Sequence, residues 1–420
     1  MRLPEPFTPL RDPPFAWYLS GRLISTMGTV MAPVALTFAV LDIDNSPSSL
    51  GVVLAARSIP LVLFLLVGGV VADRLSRSLV MQVSHLASGL TQGLVAVLLL
   101  SGHAELWMIV VLEALNGTAS AFTFPAMQGV VPLVVPRSHI QQANAMLGFT
   151  RSGLAVLGPT IGALIVVTVG SGWAIAVDAA TFTVAAFCMS RLRLPKAALG
   201  DGASASMVRE LKEGWTSFTS MTWVWVVVVS FGISNAIYAG AFLTLGPAIA
   251  KDTIGVDGWG YLLSSEAVGL LLMTLVLMKV RLRFPIRAGM LGVTMLAGPM
   301  LLLGAHPTLL PLLALGFLAG CGVEVFSIGW QTALHENIPN DVLARVSSYD
   351  ALGSFVAIPV GQLAFGPLAR VFDEGSLVVT SSLVFAVVCL VTLVSSSVRN
   401  LQRAPADPAL QPASTPVPSA

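Results

Sequence analysis

Residues 69–77 read Gly-Val-Val-Ala-Asp-Arg-Leu-Ser-Arg, a charged turn directly behind an apolar run that begins near Leu50. About twenty apolar residues can cross the roughly 30 Å hydrocarbon core of a bilayer as one helix, because helical backbone satisfies its own hydrogen bonds there. The run that ends near Val71 is long enough to do so. The stretch therefore predicts a membrane-spanning helix that returns to water at the charged turn.

The composition of the whole chain extends this prediction. Hydrophobic residues make up 55% of the 420 positions and charged residues 10%, whereas soluble domains carry roughly 25% charged residues. A cleavable signal peptide is not expected, because the first apolar run follows a proline-rich polar start and is too long for a signal h-region. Apolar runs bounded by charges, glycine or proline predict an all-α membrane protein with twelve helices, near residues 15–40, 50–71, 79–101, 105–128, 141–168, 172–190, 222–250, 259–280, 286–304, 308–331, 342–369 and 375–397.

Lysine and arginine predict the orientation, because basic loops are retained on the cytoplasmic side of a membrane. With both termini inside, most basic residues fall in cytoplasmic loops, and Lys251 and Arg370 fall outside. The net charge of +1 hides this asymmetry. A net charge so close to zero does not indicate binding to nucleic acid.

An internal repeat divides the chain. At a constant offset of 203 residues, Gly117 matches Gly320, Gln128 matches Gln331, and Pro136 matches Pro339. Together with the helix count, this repeat predicts two parallel six-helix halves at residues 1–190 and 221–400, joined by a cytoplasmic linker at 191–220. Residues 401–420 are rich in proline, alanine and serine, which predicts a disordered tail.

Several motifs resemble those of major facilitator superfamily transporters. Gly69, Asp73, Arg74 and Arg77 match the loop between helices 2 and 3 of that superfamily, although Ser76 stands where many members carry glycine. Residues 124–128 (FPAMQ) and 142–145 (QANA) resemble the macrolide-efflux and enterobactin-exporter branch of drug:proton antiporters. Residues 158–162 (GPTIG) resemble an element on helix 5 of the exporting branches, with Ala163 in place of a final glycine.

This resemblance implies a multi-pass protein of the bacterial cytoplasmic membrane that works by alternating access. It implies proton antiport that moves amphipathic antibiotics, secondary metabolites or siderophores outward, and hence a role in multidrug resistance. The matching loop residues imply a conformational switch. We expect Asp73 to face the N-terminus of the eleventh helix, near residues 340–343, where a carboxylate gains about 0.3 to 1 kcal/mol from the helix dipole.

Ionisable residues inside the predicted helices are candidates for proton coupling, because even lenient scales charge ~3 kcal/mol for an arginine at the bilayer centre. Glu113 and Glu324 are the favoured carriers, because helices 4 and 10 line the central cavity in the superfamily that the chain resembles. Asp178 is less favoured, since helix 6 is peripheral there. The coupling and cavity candidates are Arg22, Arg57, Glu113, Arg151, Glu266, Glu324 and Asp350.

Arg151 is the expected partner of Glu113, because helix-rise arithmetic separates their depths by only ~5 Å. Arg57 lies at a depth similar to that of Glu113 and is a second possible partner. A static structural pair is the alternative to a titrating one. Helix 4 also departs from an Arg-x-x-Gln-Gly element of antiporters, since Glu113 occupies the arginine position.

Other positions are assigned to the substrate cavity or to packing. Asn116, Asn235 and Tyr238 are the polar candidates for the substrate cavity. Gly158 and Gly162 predict a close helix contact and Pro159 a bend, because small residues let backbones approach and proline removes one hydrogen bond.

No catalytic constellation is found in the sequence. The five histidines are scattered, and no Gly-x-x-x-x-Gly-Lys-[Ser/Thr] loop is present to bind ATP. Cys188, Cys321 and Cys389 lack metal-ligand spacing and are interpreted as structural. We therefore expect a monomeric transporter without enzymatic activity, cofactor or metal, whose partners are its substrate, protons and the lipid bilayer. The alternatives are an uptake transporter for a small polar solute and a non-transporting membrane receptor.

Overall fold

The computed structural model describes residues 9–127, 130–136, 139–192, 194, 215–277, 279–280, 282–338 and 340–402. Its description omits some side chains within these ranges, including those of Gly69, Asp73 and Arg74. The expected contact between Asp73 and residues 340–343 involves side chains that the structure does not describe. Most of the predicted linker and the predicted tail after residue 402 lie outside the described residues.

Within the described residues, twelve helices are long and apolar enough to cross a membrane, which confirms the predicted all-α membrane fold. They are α1 (Pro13–Ile43), α2 (Pro47–Arg74), α3 (Arg77–Ser101), α4 (Leu106–Met127), α5 (Ile140–Val169), α6 (Ser171–Ser190), α7 (Thr222–Thr253), α8 (Gly255–Leu277), α9 (Pro285–Ala305), α10 (Leu309–Asn337), α11 (Asn340–Phe355 and Ala357–Ala369) and α12 (Glu374–Val394).

The charged turn is shorter than the sequence suggests. Helix α2 continues through Arg74, and α3 begins at Arg77, so Leu75 and Ser76 alone separate them. The Ser76 side chain accepts a hydrogen bond from the backbone N–H of Leu79 and caps α3. Asp73 and Arg74 therefore belong to the last turn of α2.

Among the described residues, four helices change their winding within the span, and one of them, α12, ends in a 3₁₀ turn at Thr392–Val394. Helix α7 is a π-helix over Tyr238–Leu245, where the Thr244 hydroxyl donates to the Ala239 carbonyl, five residues earlier. Helix α9 includes a 3₁₀ turn at Thr294–Leu296, and α11 is interrupted at Val356. Local π segments recur at functional sites because they redirect the side chains around them.

Glycines at equivalent places bring helices together in the first six and the last six helices. A Cβ atom on Gly117 of α4 would collide with the backbone oxygen of Arg57 on α2. A Cβ atom on Gly320 of α10 would collide in the same way with the backbone oxygen of Glu266 on α8. Arg57 and Glu266 thus lie at corresponding positions of the two sets of helices.

The two sets of helices meet toward the end that carries the α1–α2 turn. There Lys251 contacts Asp42, with 2.7 Å between Nζ and Oδ1. Deeper in the span, Ser58 donates to Gln362 at 2.6 Å between oxygens, and the Thr160 and Ser264 hydroxyls lie 2.7 Å apart. A shared apolar core at this end includes Phe38, Leu245 and Trp259.

The apolar residues form separate cores toward the opposite end, where the N-terminus lies. Phe15, Tyr18 and Met189 belong to a core built from the first six helices. Phe218, Trp223 and Trp330 belong to another, built from the last six helices and the segment before them. In its described part, the molecule is therefore closed at the end with the α1–α2 turn and divided at the opposite end, where the N-terminus lies.

Candidate functional site

Glu113 is the centre of a buried polar cluster, the Glu113 cluster, formed by Arg57, Gln92, Glu113 and Asp178. The Glu113 side chain is 0% exposed. Its Oε1 accepts a hydrogen bond from Gln92 Nε2 at 2.9 Å, and its Oε2 lies 3.6 Å from a guanidinium nitrogen of Arg57. Glu113 is thus held on one side by an amide and on the other by a cation.

Arg57 connects this buried acid to a less buried region. Its side chain is 21% exposed, and its backbone is fixed by the close approach of Gly117. The distance of 3.6 Å joins two opposite charges without a normal hydrogen bond. Such a pair can separate at a smaller cost than a fully hydrogen-bonded one.

Asp178 belongs to the same cluster, although its position on α6 made it a less favoured candidate from sequence. It is 1% exposed, and within the described residues neither carboxylate oxygen has a hydrogen-bond partner. Its carboxylate and the Thr181 side chain fill the space that a Cβ atom on Gly28 of α1 would need. Arg57 and Glu113 are its charged neighbours.

Asp178 shares Arg57 with Glu113, so one guanidinium serves two buried carboxylates. An ionised carboxylate without compensation is costly in a low dielectric. The cluster therefore has one more acid than the single guanidinium can compensate. An acid inside an apolar run is the sequence signal for Asp178, whereas its place opposite Gly28 is seen only in the structure.

The expected pairing of Arg151 with Glu113 is wrong. Arg151 is exposed on α5, and the ion-pair partner of Glu113 is Arg57. Helix rise gives the depth of a side chain but not its direction around the helix axis. A Cβ atom added to the nearby Gly148 or Gly153 would meet no neighbouring atom within 4 Å, so this part of α5 is open.

Arg22 makes a contact of a different kind. Its guanidinium donates to the Tyr18 hydroxyl at 3.0 Å, and that hydroxyl donates to the Met127 carbonyl at 3.2 Å. The chain of hydrogen bonds ties α1 to the end of α4. Arg22 therefore has a structural contact outside the Glu113 cluster.

A cavity of about 330 Å³, which we call the Glu266 cavity, lies within the last six helices. It brings together three sequence candidates: Asn235 and Tyr238 from α7, and Glu266 from α8. The Tyr238 hydroxyl donates to Glu266 Oε2 at 3.4 Å, and Asn235 Nδ2 donates to the Ser354 carbonyl at 3.0 Å. The aromatic lining is Phe231, Tyr238, Phe326, Trp330 and Phe385.

The remaining candidates lie at different places. Asp350 accepts a hydrogen bond from the Trp330 indole at 2.9 Å and so touches the cavity wall. Glu324 accepts one from the Thr274 hydroxyl at 2.7 Å, and it does not line the cavity. Asn116 is 0% exposed, and its amide has no partner among the described residues. It lies three residues after Glu113 on α4 and so shares that face of the helix.

The glycines of α5 form close contacts with α1. A Cβ atom on Gly158 would collide with the Val30 side chain, and one on Gly162 would lie 2.9 Å from the Met31 carbonyl oxygen. On the other side of α5, a Cβ atom on Gly260 of α8 would lie 2.9 Å from the Pro159 carbonyl oxygen. This region of α5 thus joins α1 to α8.

Comparison with known proteins agrees with this architecture. The pattern of the transmembrane secretion effector family matches residues 4–412. The multidrug efflux pump Tap of Mycolicibacterium fortuitum is 24% identical over 370 residues, covering 85% of this chain and 89% of Tap. Macrolide efflux protein A of Streptococcus pyogenes is 22% identical over 198 residues, covering 46% and 48% of the two chains.

Solved structures show the same fold. The nucleoside transporter NupG aligns with a TM-score of 0.71 at 13% identity, over 91% of this chain and 98% of NupG. A bacterial homologue of the human lysosomal transporter Spinster, in an inward-facing conformation, aligns with a TM-score of 0.68 at 14% identity, over 94% and 100%. Because the family pattern covers nearly the whole length of this chain, the chain belongs to the transmembrane secretion effector family of major facilitator superfamily transporters.

Proposed function

We propose that this transporter exports amphipathic small molecules by proton antiport, using alternating access. Glu113 and Asp178 together hold the exchanged proton, and Arg57 is their shared counter-ion. Both termini lie in the cytoplasm, so the divided end of the molecule opens to the cytoplasm and the inner leaflet. The distribution of lysine and arginine supports this orientation.

The observation that carries the proposal is the fully buried Glu113 beside the partly exposed Arg57. A buried acid can keep its charge only while a cation stays close. Movement of the two sets of helices changes the surroundings of Arg57 and therefore the charge state of the acids. This couples opening of the cavity to uptake or release of one proton.

The efflux relatives support the outward direction. Tap and macrolide efflux protein A are both named for efflux, whereas the likeness to NupG concerns the fold. The aromatic lining of the Glu266 cavity also fits an amphipathic solute better than a small polar one. Uptake of a polar nutrient is therefore the less favoured function.

A susceptibility panel of antibiotics and siderophores in an efflux-deficient bacterial host tests the proposal. We expect the wild-type chain to raise tolerance to at least one amphipathic compound, and a protonophore or Glu113→Gln to remove that effect. Glu105→Gln is the matched control, because Glu105 is an exposed carboxylate just before α4. Tolerance that survives both the protonophore and Glu113→Gln would contradict proton antiport.

A further inference from the structure

We propose that the Glu266 cavity is a binding site for organic monocations, with the Glu266 carboxylate as the counter-ion and the aromatic side chains around the apolar groups. This inference rests on the proposed export function and names the chemical class of its substrate. It assigns Glu266 to substrate binding instead of proton transfer.

The position of Glu266 is fixed by helix packing. The contact of Gly320 with the Glu266 carbonyl holds α8 against α10, and Gly269 makes a similar contact with the Phe317 carbonyl one turn further along. The Tyr238 hydroxyl, at the start of the π-helix in α7, donates to the carboxylate. The acid is thus held at the cavity wall by two neighbouring helices.

The cavity wall is made of aromatic rings in defined orientations. Phe231 and Phe326 stack with their ring centroids 4.0 Å apart, and Phe326 stacks on Trp330 at 5.9 Å. A hydrogen bond from the Trp330 indole to Asp350 fixes the orientation of the Trp330 ring. Aromatic faces attract cations through their quadrupole, and the attraction grows when water is excluded.

The charge balance of the Glu266 cavity favours a cation. Glu266 is the one ionisable acid that lines the cavity, and no lysine or arginine lines it within the described residues. At the corresponding place in the first six helices, Arg57 neutralises Glu113. The described residues offer Glu266 no such cationic partner, so a bound cation would supply the compensating charge that the carboxylate lacks.

The size and opening of the cavity also fit a ligand. Its volume of about 330 Å³ is at the lower end of the ~300–1,000 Å³ typical of small-molecule sites. Ser327 and Gln331 line it and are exposed, so it opens on the side where these two residues of α10 lie. A compact lipophilic cation therefore has both a route and a binding site.

Two probes of the same shape and opposite charge test the inference. Tetraphenylphosphonium is a permanent cation, and tetraphenylborate is its anionic counterpart. We expect equilibrium dialysis of the full-length protein in detergent to show at least tenfold tighter binding of the phosphonium. Glu266→Gln should weaken phosphonium binding at least tenfold and leave borate binding unchanged or stronger.

Two further variants keep the test specific. Trp330→Leu should weaken phosphonium binding several-fold, because it removes one aromatic face. Glu324→Gln is the matched control and should bind like the wild type, because Glu324 lies on α10 but outside the cavity lining. Size-exclusion profiles and melting temperatures establish that each variant is folded.

Three outcomes would overturn the assignment: equal binding of the two probes, no phosphonium binding by the wild type, or unchanged phosphonium binding by folded Glu266→Gln. A failure of the proposed export function can be distinguished from a failure of the binding-site assignment. If Glu266 governs phosphonium binding but no proton moves during transport in liposomes, antiport is wrong and the binding site stands. If Glu266→Gln binds normally while proton-coupled transport persists, antiport stands and the site is wrong.

Discussion

Glu113 and Asp178 face one guanidinium, and this shortage of positive charge is the main feature of the site at the scale of single residues. In the proposed mechanism the two acids titrate as one coupled unit, and both are required for the exchanged proton. Removal of either acid leaves the other neutralised by Arg57. The variant then has no site at which a proton is gained and lost.

Asp178→Asn should therefore abolish proton coupling as completely as Glu113→Gln, and the double variant should be no worse than either single one. The measurement is the number of protons released per transported substrate in proteoliposomes. If the two acids act as a unit, the effects of the two single substitutions do not add. Asp252→Asn is a control, since Asp252 is exposed at the far end of α7. Wild-type stoichiometry in Asp178→Asn would exclude Asp178 from the proton site.

The two arginines give a second prediction at this scale. Arg57→Gln should impair coupling and lower thermal stability, because breaking a buried pair leaves an acid without compensation. Arg151→Gln should keep the proton stoichiometry, because Arg151 is exposed and Arg57 is the partner of Glu113. If Arg151→Gln changed the proton stoichiometry in the liposome assay and Arg57→Gln did not, the result would favour the Arg151–Glu113 pair expected from helix depth.

At the scale of helices, sequence predicted the spans well because hydrophobic length is a property of the chain alone. It did not predict the π-helix at Tyr238–Leu245, since that segment contains no proline; in the structure the segment packs against α11, with the Phe365 ring against Gly240. It also missed the partner of Glu113, because the direction of a side chain around its helix depends on neighbouring helices. The cavity residues Asn235, Tyr238 and Glu266 were proposed individually, and only the structure shows them together.

The contact of α5 with α1 gives a prediction with a control on the same helix. Gly158→Leu should lower the melting temperature of the purified protein, because the side chain collides with Val30, and overpacking costs typically about 1 to 3 kcal/mol. Gly153→Leu should leave the melting temperature nearly unchanged, since nothing lies within 4 Å of its Cβ position. Equal melting temperatures for the two variants would show that the Val30 contact yields without cost.

At the scale of the whole molecule, alternating access requires the contacts at the α1–α2 end to separate during each cycle. The Lys251–Asp42 ion pair and the Ser58–Gln362 hydrogen bond are among those contacts. Both join the first six helices to the last six. Holding them together should therefore trap the molecule with its divided end open.

A chain with Asp42→Cys and Lys251→Cys, and with the three native cysteines replaced, tests this movement. A bifunctional methanethiosulfonate reagent, whose spacer makes up for the shorter cysteine side chains, should cross-link the pair and stop transport, and a reducing agent should restore transport. Phosphonium binding should persist in the cross-linked protein, since the Glu266 cavity lies in the last six helices. Each single-cysteine variant is a control. Full transport activity in the cross-linked protein would show that the α1–α2 end need not open.

Proton movement by the purified protein in liposomes tests the central claim most directly. A gradient of a compound identified by the susceptibility panel should drive protons in the opposite direction, recorded with a pH-sensitive dye inside the liposomes. The account predicts that wild-type protein shows this movement and that Glu113→Gln loses it while still binding the compound. Proton movement by Glu113→Gln at the wild-type ratio of protons to substrate would contradict the account.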